Sequence, residues 1–508
     1  MTHQIELTAP AGRHAKECFA TFREQIEASL ADKTLPSDVI GKGMLIDGPD
    51  GPVRLIYADY AASGRALRQV EQFVLENVLP VYANPHTMAS YCGRAINTLR
   101  RAARQEIAAY CGANVDDAVI FAGSGATAGI QKLVRLFGAD RPDPSGRMPL
   151  VLLGPYEHHS NLLPWRESGA EIVELPEDPQ GGPDRELLLR YLTLASDRRV
   201  ICSFSAGSNI TGALTDVVAV SRLVKAEGGF VIWDYAGAAP YMPMSMRPAE
   251  DLHIDAMVFS PHKFIGGPGA SGVLVVRRDA IVLDKPSAPG GGTVSFVSPD
   301  AQDYLGTVEA REEAGTPNAI GDIRAALSII VRDCLAKSGS DARTAQKCQK
   351  AIEFWSKNPH IEILGTPRDD MLPIVSFRVR DSQGELVHHQ LVTRILSDKF
   401  GIQARGGCAC AGPYVHHLLD IDDDGSQAIR RAISEGKELE KPGFVRVNFS
   451  ALMDAQEFDL VVEAVDRVAR ESENFSPQFI ADPATAIFEP LRTAPFDRFA
   501  AMGCTNPS

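Results

Sequence analysis

Between about residues 117 and 278, short apolar runs alternate with amphipathic stretches. The runs at 119–122, 150–153, 171–175, 200–205, 231–234, 257–260 and 272–276 read as buried strands. Segments between them, such as 216–226, carry apolar residues at helical spacing. Repeated strand–helix alternation predicts an α/β architecture with a mostly parallel, seven-stranded sheet. On such sheets ligands bind outside the carboxyl ends of the strands, so the polar motifs that follow the runs are where chemistry is expected.

The pattern breaks at Pro289-Gly290-Gly291-Gly292, and Gly315-Thr316-Pro317-Asn318 precedes a long helical stretch from about Ile320. Beyond it, 374–379 and 444–449 read as strands flanked by helices, the pattern of a smaller α+β domain. The expected division is an N-terminal segment, residues 1–50, with one helix near 16–31 packing on the smaller domain; a large domain, 51–320; a C-terminal small domain, 321–475; and a tail, 476–508, rich in Pro and Ala and without a fold signal.

A chain of 508 residues with 44% hydrophobic and 23% charged positions has the balance of a globular protein with a sizeable core. The formal net charge of −14 argues against a nucleic-acid partner, whose phosphates call for cationic surfaces. Nine cysteines, an odd number without framework spacing, suit a reducing compartment. No secretory pattern opens the chain and no run reaches the length of a membrane span, so a cytoplasmic location without membrane contact is expected.

Five motifs carry candidate chemistry. Ser260-Pro261-His262-Lys263 follows a strand and enters a glycine-rich turn, which places Lys263 at the rim of the sheet. A desolvated lysine becomes a Schiff-base nucleophile. Asp234 ends the apolar run Val231-Ile232-Trp233, a costly place for a carboxylate without a cationic partner. The protonated ring nitrogen of pyridoxal 5′-phosphate (PLP) would be such a partner, and a helix N-cap is the alternative. Gly123-Ser124-Gly125-Ala126-Thr127 links a strand to a helix with small residues, an arrangement that suits a phosphate or an ordinary tight turn. Glu157-His158-His159-Ser160-Asn161 offers a histidine to stack on a cofactor, two surface histidines, or a metal pair; no metal is expected. Finally, Arg405-Gly406-Gly407-Cys408-Ala409-Cys410 combines an arginine suited to a carboxylate with two cysteines. A metal-binding pair and a regulatory disulfide are the alternatives there.

With these motifs in this order, the chain resembles the class V aminotransferase superfamily of fold-type I PLP-dependent enzymes, cysteine desulfurases and selenocysteine lyases above all. The resemblance runs from about Tyr57-Ala58-Asp59-Tyr60-Ala61-Ala62 to Phe449. It implies that Lys263 forms the internal aldimine, with Ser260, His262, Ala126 and Thr127 around the cofactor phosphate. His158 would stack on the ring and assist proton transfer, Asp234 would bind the ring nitrogen, and Asn209 would lie beside cofactor and substrate. Thr293 would reach the phosphate of a partner subunit, which implies a homodimer. Arg405 would hold the carboxylate of an amino-acid substrate, and Cys410, five residues later, stands where desulfurases place their persulfide-forming cysteine.

The chain departs from the family's usual pattern in three ways. Gly237 stands where a glutamine is usual, the loop carries Cys408 as well as Cys410 (a pattern similar to molybdenum-cofactor sulfurases), and both ends are long. The resemblance therefore implies desulfurization of an amino acid, with a possible sulfur-acceptor protein as partner. A transaminase, epimerase or lyase acting on a non-sulfur amino acid is the rival, and a non-catalytic sulfur or metal carrier using Cys408 and Cys410 is the reading from another class.

Overall fold

The computed structural model describes residues 10–491. They divide into two compact units: the larger comprises residues up to 38, 62–208 and 214–341, and the smaller comprises 39–61, 209–213 and the chain from 342 onward. The backbone therefore passes between the units five times.

The larger unit is built on seven strands: β1 (Asp117–Gly123), β2 (Leu150–Leu153), β3 (Glu171–Glu174), β4 (Val200–Ser205), β5 (Phe230–Asp234), β6 (Ala256–Phe259) and β7 (Gly272–Arg277), in the order β1-β7-β6-β5-β4-β2-β3. The β6-β5-β4-β2-β3 pairs are parallel, and β7 runs antiparallel to both its neighbours. Every residue of β4 is buried, as a strand with both faces covered requires. Helices cover those faces. Among them, α1 (Val217–Ala226) starts where Asp216 accepts a hydrogen bond from Ala219 N at 3.0 Å. Its Ser221 Oγ takes the indole N–H of the fully buried Trp233 at 2.9 Å, satisfying a polar group that the apolar strand carries inward. Ile201, Ile232, Val258 and Leu274 from adjacent strands share one core with Trp165 and Phe137. Burial of such a side chain contributes about 1.5–3 kcal/mol.

The expected boundaries need correction at three places. The N-terminal helix Pro10–Ala31 belongs to the larger unit: Phe19 and Phe22 pack on Phe73, and the helix lies against those at Tyr91–Tyr110 and Ala319–Lys337. An amphipathic stripe announces a helix and not the surface it will cover. The helix Ala319–Lys337, expected to open the small domain, is part of the larger unit. Asp322 accepts Ser271 Oγ at 2.6 Å and pairs with Arg100 at 2.8 Å. Residues 476–491, expected to be featureless, form a turn and a hairpin of Phe479–Asp482 with Ile487–Pro490; the rest of the tail lies outside the described residues.

The smaller unit carries an antiparallel sheet of β8 (Ile361–Ile363), β9 (Ile374–Arg380), β10 (Arg405–Gly407) and β11 (Phe444–Asn448) in the order β8-β9-β11-β10, with Leu386–Val387 pairing β9. Trp355, Phe377 and Phe449 form its aromatic centre. A helix at Ala455–Arg470, begun by a reciprocal capping box of Asp454 and Glu457, supplies Val461, Val465 and Val468 to the same core. No helix among the described residues is long and apolar enough to cross a membrane.

Candidate active site

In the larger unit the motifs converge at the carboxyl ends of the parallel strands. β6 ends at Phe259 and Ser260 leads into a single turn of 3₁₀-helix, Pro261–Lys263, closed by Lys263 N donating to Ser260 O at 3.0 Å. One strand over, Asp234 ends β5 opposite Val258. Its carboxylate is 4% exposed. Oδ1 accepts Ala236 N at 2.7 Å. Burial pushes the Asp234 carboxyl above its ordinary range, while the Ala236 hydrogen bond and the Lys263 charge pull the other way. The helix-cap alternative is thus half realised, as a turn at Ala236. A carboxylate this buried still calls for a cation, and a protonated pyridine nitrogen fits that need.

The loop after β1 adds an anion cradle. Gly123 and Gly125 both have left-handed backbones, at φ +86° and +65°. A Cβ on Gly125 would come within 3.1 Å of Ser260 Oγ and 3.2 Å of His262, and a Cβ on Gly272 would sit 2.2 Å from Gly125 O. Only glycine allows these backbones to meet. Ala126 N donates to Ser260 Oγ at 2.9 Å, and Thr127 Oγ1 lies 2.6 Å from Ser160 Oγ, at the first turn of the helix Gly125–Leu136. Its dipole and amides favour a phosphate group. Burial and the neighbouring Lys263 depress His262 to about 4, so it serves as a neutral hydrogen-bonding ring at neutral pH.

His158 caps the helix His159–Arg166: its Nδ1 accepts Ser160 N at 3.1 Å, which puts the proton of the neutral ring on Nε2. Glu157 turns the other way. It is buried, and its two oxygens accept Gly154 N, Ser205 N, Ser205 Oγ and Asn161 Nδ2. Asn161 Oδ1 in turn accepts Ser203 Oγ and Trp165 Nε1. Burial raises the Glu157 carboxyl to about 8 against these hydrogen bonds, with the nearby Asp234 adding to the rise. The Glu157–histidine metal alternative therefore loses its carboxylate. Among the described residues no group of three His, Cys, Asp or Glu could hold a metal ion. The role of Glu157 as the centre of a buried network was missed, since nothing in a polar loop sequence says which side chain faces the sheet.

Arg405, Asn209, Cys408 and Cys410 lie in the smaller unit. Asp59 bridges two guanidiniums there: Arg405 Nε at 3.0 Å and the buried Arg446 at 2.9 Å. The Arg405 side chain is 45% exposed, and among the described residues its Nε is hydrogen-bonded to Asp59. Arg446 also donates to Asn209 O at 3.0 Å, and Asn209 Nδ2 donates to Ala409 O at 2.9 Å, so one chain of polar contacts runs from Arg405 to the cysteine loop. That loop is a tight turn with positive φ at both central residues, Ala409 at 47° and Cys410 at 56°, closed by Ala411 N to Cys408 O at 3.4 Å. Positive φ at both central positions is the mark of a type I′ turn, which glycine and asparagine normally fill. Cys410 is exposed at the tip, while the thiol of Cys408 is half-buried and donates to Pro442 O at 2.9 Å. Asp59 and Arg446 were not foreseen as site residues; 387 positions separate them in the chain.

Residues 56–461 match the model of the aminotransferase class-V family. The chain belongs to that family. Curated relatives of this class V chain include a probable cysteine desulfurase of Vibrio cholerae, 26% identical over 81% of this chain and 93% of the relative, and the cysteine desulfurase CsdA of Escherichia coli, 27% identical over the same shares. Its fold is that of a cysteine desulfurase from Thermococcus onnurineus (TM-score 0.66, 23% identity, 82% of this chain and 94% of that one). A crystal structure of Escherichia coli CsdA matches similarly (TM-score 0.63, 24% identity, 81% and 94%). Class V enzymes use PLP. Two further positions of this class V chain bear on the expected site. Position 237 offers no side chain at the edge of β5, and Thr293 is fully buried with its hydroxyl turned onto Gly290 O at 2.7 Å.

Proposed function

We propose that the protein is a PLP-dependent cysteine desulfurase that converts an amino-acid substrate of the cysteine type into alanine and a persulfide on Cys410. One observation carries the reading: the buried Asp234 carboxylate, which feels the charge of Lys263, at the strand ends. Lys263 would hold the cofactor's aldehyde carbon, Asp234 its ring nitrogen, and Ser260, His262, Ala126 and Thr127 its phosphate, with His158 on the ring and Asn209 beside it. When bound, PLP supplies an electron-accepting ring that stabilises negative charge at the substrate Cα.

The chain's own groups do the rest. Lys263, released when substrate takes its place, moves the α-proton. The substrate carboxylate is received by the positive corner that Arg405 presents and Arg446 reinforces around Asp59. The Cys410 sulfur attacks the substrate sulfur; an S–S bond forms, the carbon–sulfur bond breaks, and the side-chain carbon takes a proton to complete alanine. The exposure of Cys410 and the engagement of the Cys408 thiol with Pro442 favour Cys410 as the attacking group. A second copy of the chain and a sulfur-acceptor protein belong to the same reading; for Thr293 to reach a partner's phosphate its buried hydroxyl would have to leave Gly290 O.

The deciding experiment incubates the yellow protein with L-cysteine and a thiol reductant. Alanine and sulfide in equal amounts, both lost in Cys410→Ser, are expected; no alanine would overturn the proposal. The bare position at Gly237 favours one rival, a class V enzyme acting on a non-sulfur amino acid. Turnover of such a substrate that survives replacement of Cys408 and Cys410 would establish it. A colourless protein from which borohydride fixes nothing to Lys263 would leave only the carrier.

A further inference from the structure

We infer that Cys408 is a resolving thiol, which discharges a persulfide on Cys410 by closing a disulfide within the turn. The inference rests on the desulfurase reading for its source of persulfide. It stands on the geometry of residues 408–411. Cys408 and Cys410 occupy the first and third positions of a tight turn whose middle residue is left-handed, at φ 47°. That curl, closed by Ala411 N on Cys408 O, folds the backbone back between the two cysteines, and a disulfide needs such a close approach of its two Cα atoms. Asn209 holds the turn by its Ala409 carbonyl at 2.9 Å. The two thiols are close enough that a charge on Cys410 disfavours one on Cys408.

The two sulfurs are also differently kept. Cys410 is exposed to solvent. Cys408 is half-buried, donates to Pro442 O at 2.9 Å, and burial pushes its thiol pKa up, with Lys441 pulling the other way. A thiol held protonated is a poor nucleophile toward incoming substrate and is spent only on a partner held against it. In the step itself the Cys408 sulfur attacks the inner sulfur of the persulfide. A bond forms between the two Sγ atoms, the bond to the outer sulfur breaks, and its electron pair leaves as hydrosulfide. The Cys408 proton passes to water. Cys408 is oxidised, the outer sulfur is reduced to sulfide, and no outside oxidant enters. A dithiol reductant reopens the turn for the next cycle.

The test uses the full chain, reduced and desalted, in two arms. In the first, inorganic polysulfide loads Cys410 without any cofactor chemistry, and peptide and intact masses are read after quenching. Wild type is expected to end with residues 408 and 410 cross-linked and two hydrogens lighter. Cys408→Ser and Cys408→Ala are expected to retain the added sulfur on Cys410 and to release sulfide at least tenfold more slowly. A wild-type chain that keeps its persulfide, or variants that release sulfide as fast, would overturn the inference. The second arm supplies L-cysteine without reductant and follows alanine. Cross-linking in the first arm with no alanine in the second would remove the desulfurase reading and leave the thiol pair standing.

Discussion

Asp234 and Lys263 depend on each other in a way that single substitutions can separate. Lys263→Ala should leave no lysine for borohydride to fix and lower turnover by several orders of magnitude. Asp234→Asn keeps the shape and the Ala236 hydrogen bond but removes the charge; turnover should fall by about 10²–10⁴-fold, with the absorbance of the bound cofactor shifted. Absorbance titration and steady-state rates check both. Glu157 makes a pH prediction. Its carboxyl lies at about 8 in the folded chain, above its usual value of 4.5, so the folded state holds a proton that the unfolded chain has released. Stability from this group is complete below about 4.5 and is lost as pH rises toward 8. Glu157→Gln should remove that slope, so between these values the wild-type melting temperature should fall with rising pH while the variant's loses this dependence. Asp234 stood out in the sequence as a costly carboxylate at the end of an apolar run, and Lys263 as a lysine between a strand and a glycine-rich turn. Glu157 was legible only as a neighbour of two histidines, because the direction of its side chain is set by Ser205, 48 residues away.

At the level of elements, the strands announced themselves for a physical reason: a parallel sheet covered on both faces needs uninterrupted apolar runs, and no other element of that length does. Helices announced only their existence. The helix Pro10–Ala31 shows the difference, since its apolar stripe would serve against either unit. The glycine-rich loop after β1 read equally as a turn or a phosphate cradle, and the contact between Gly125 and Gly272 is what gives it a fixed shape. Gly125→Ala should therefore weaken PLP binding by at least tenfold, because the added methyl meets Ser260 and the left-handed backbone alone costs about 1–2 kcal/mol. Cofactor titration by fluorescence reads the loss. The cysteine turn carries the same strain without glycine. Ala409→Gly should raise stability by about 1 kcal/mol, measured by denaturant unfolding, while loosening the hold on Cys410.

For the molecule as a whole, ligand linkage predicts that PLP at one hundred times its dissociation constant stabilises the fold by about 2.7 kcal/mol, so removing the cofactor should lower the melting temperature by several degrees. Sedimentation should find twice the 54.8 kDa chain mass if the proposed homodimer forms; a single chain mass would remove it. The α/β class and the order of motifs were readable from one chain because they follow from local pattern. The division into units was not, since it depends on contacts between segments hundreds of residues apart, such as Asp59 with Arg446. Five crossings of the backbone between the two units have a practical meaning for anyone cutting this gene. Neither unit corresponds to one uninterrupted stretch of codons, so a half-length fragment from either end inherits strands whose neighbours were left behind. A protease nick in a surface loop, by contrast, should yield two pieces that stay bound together through ordinary purification and separate only in denaturant.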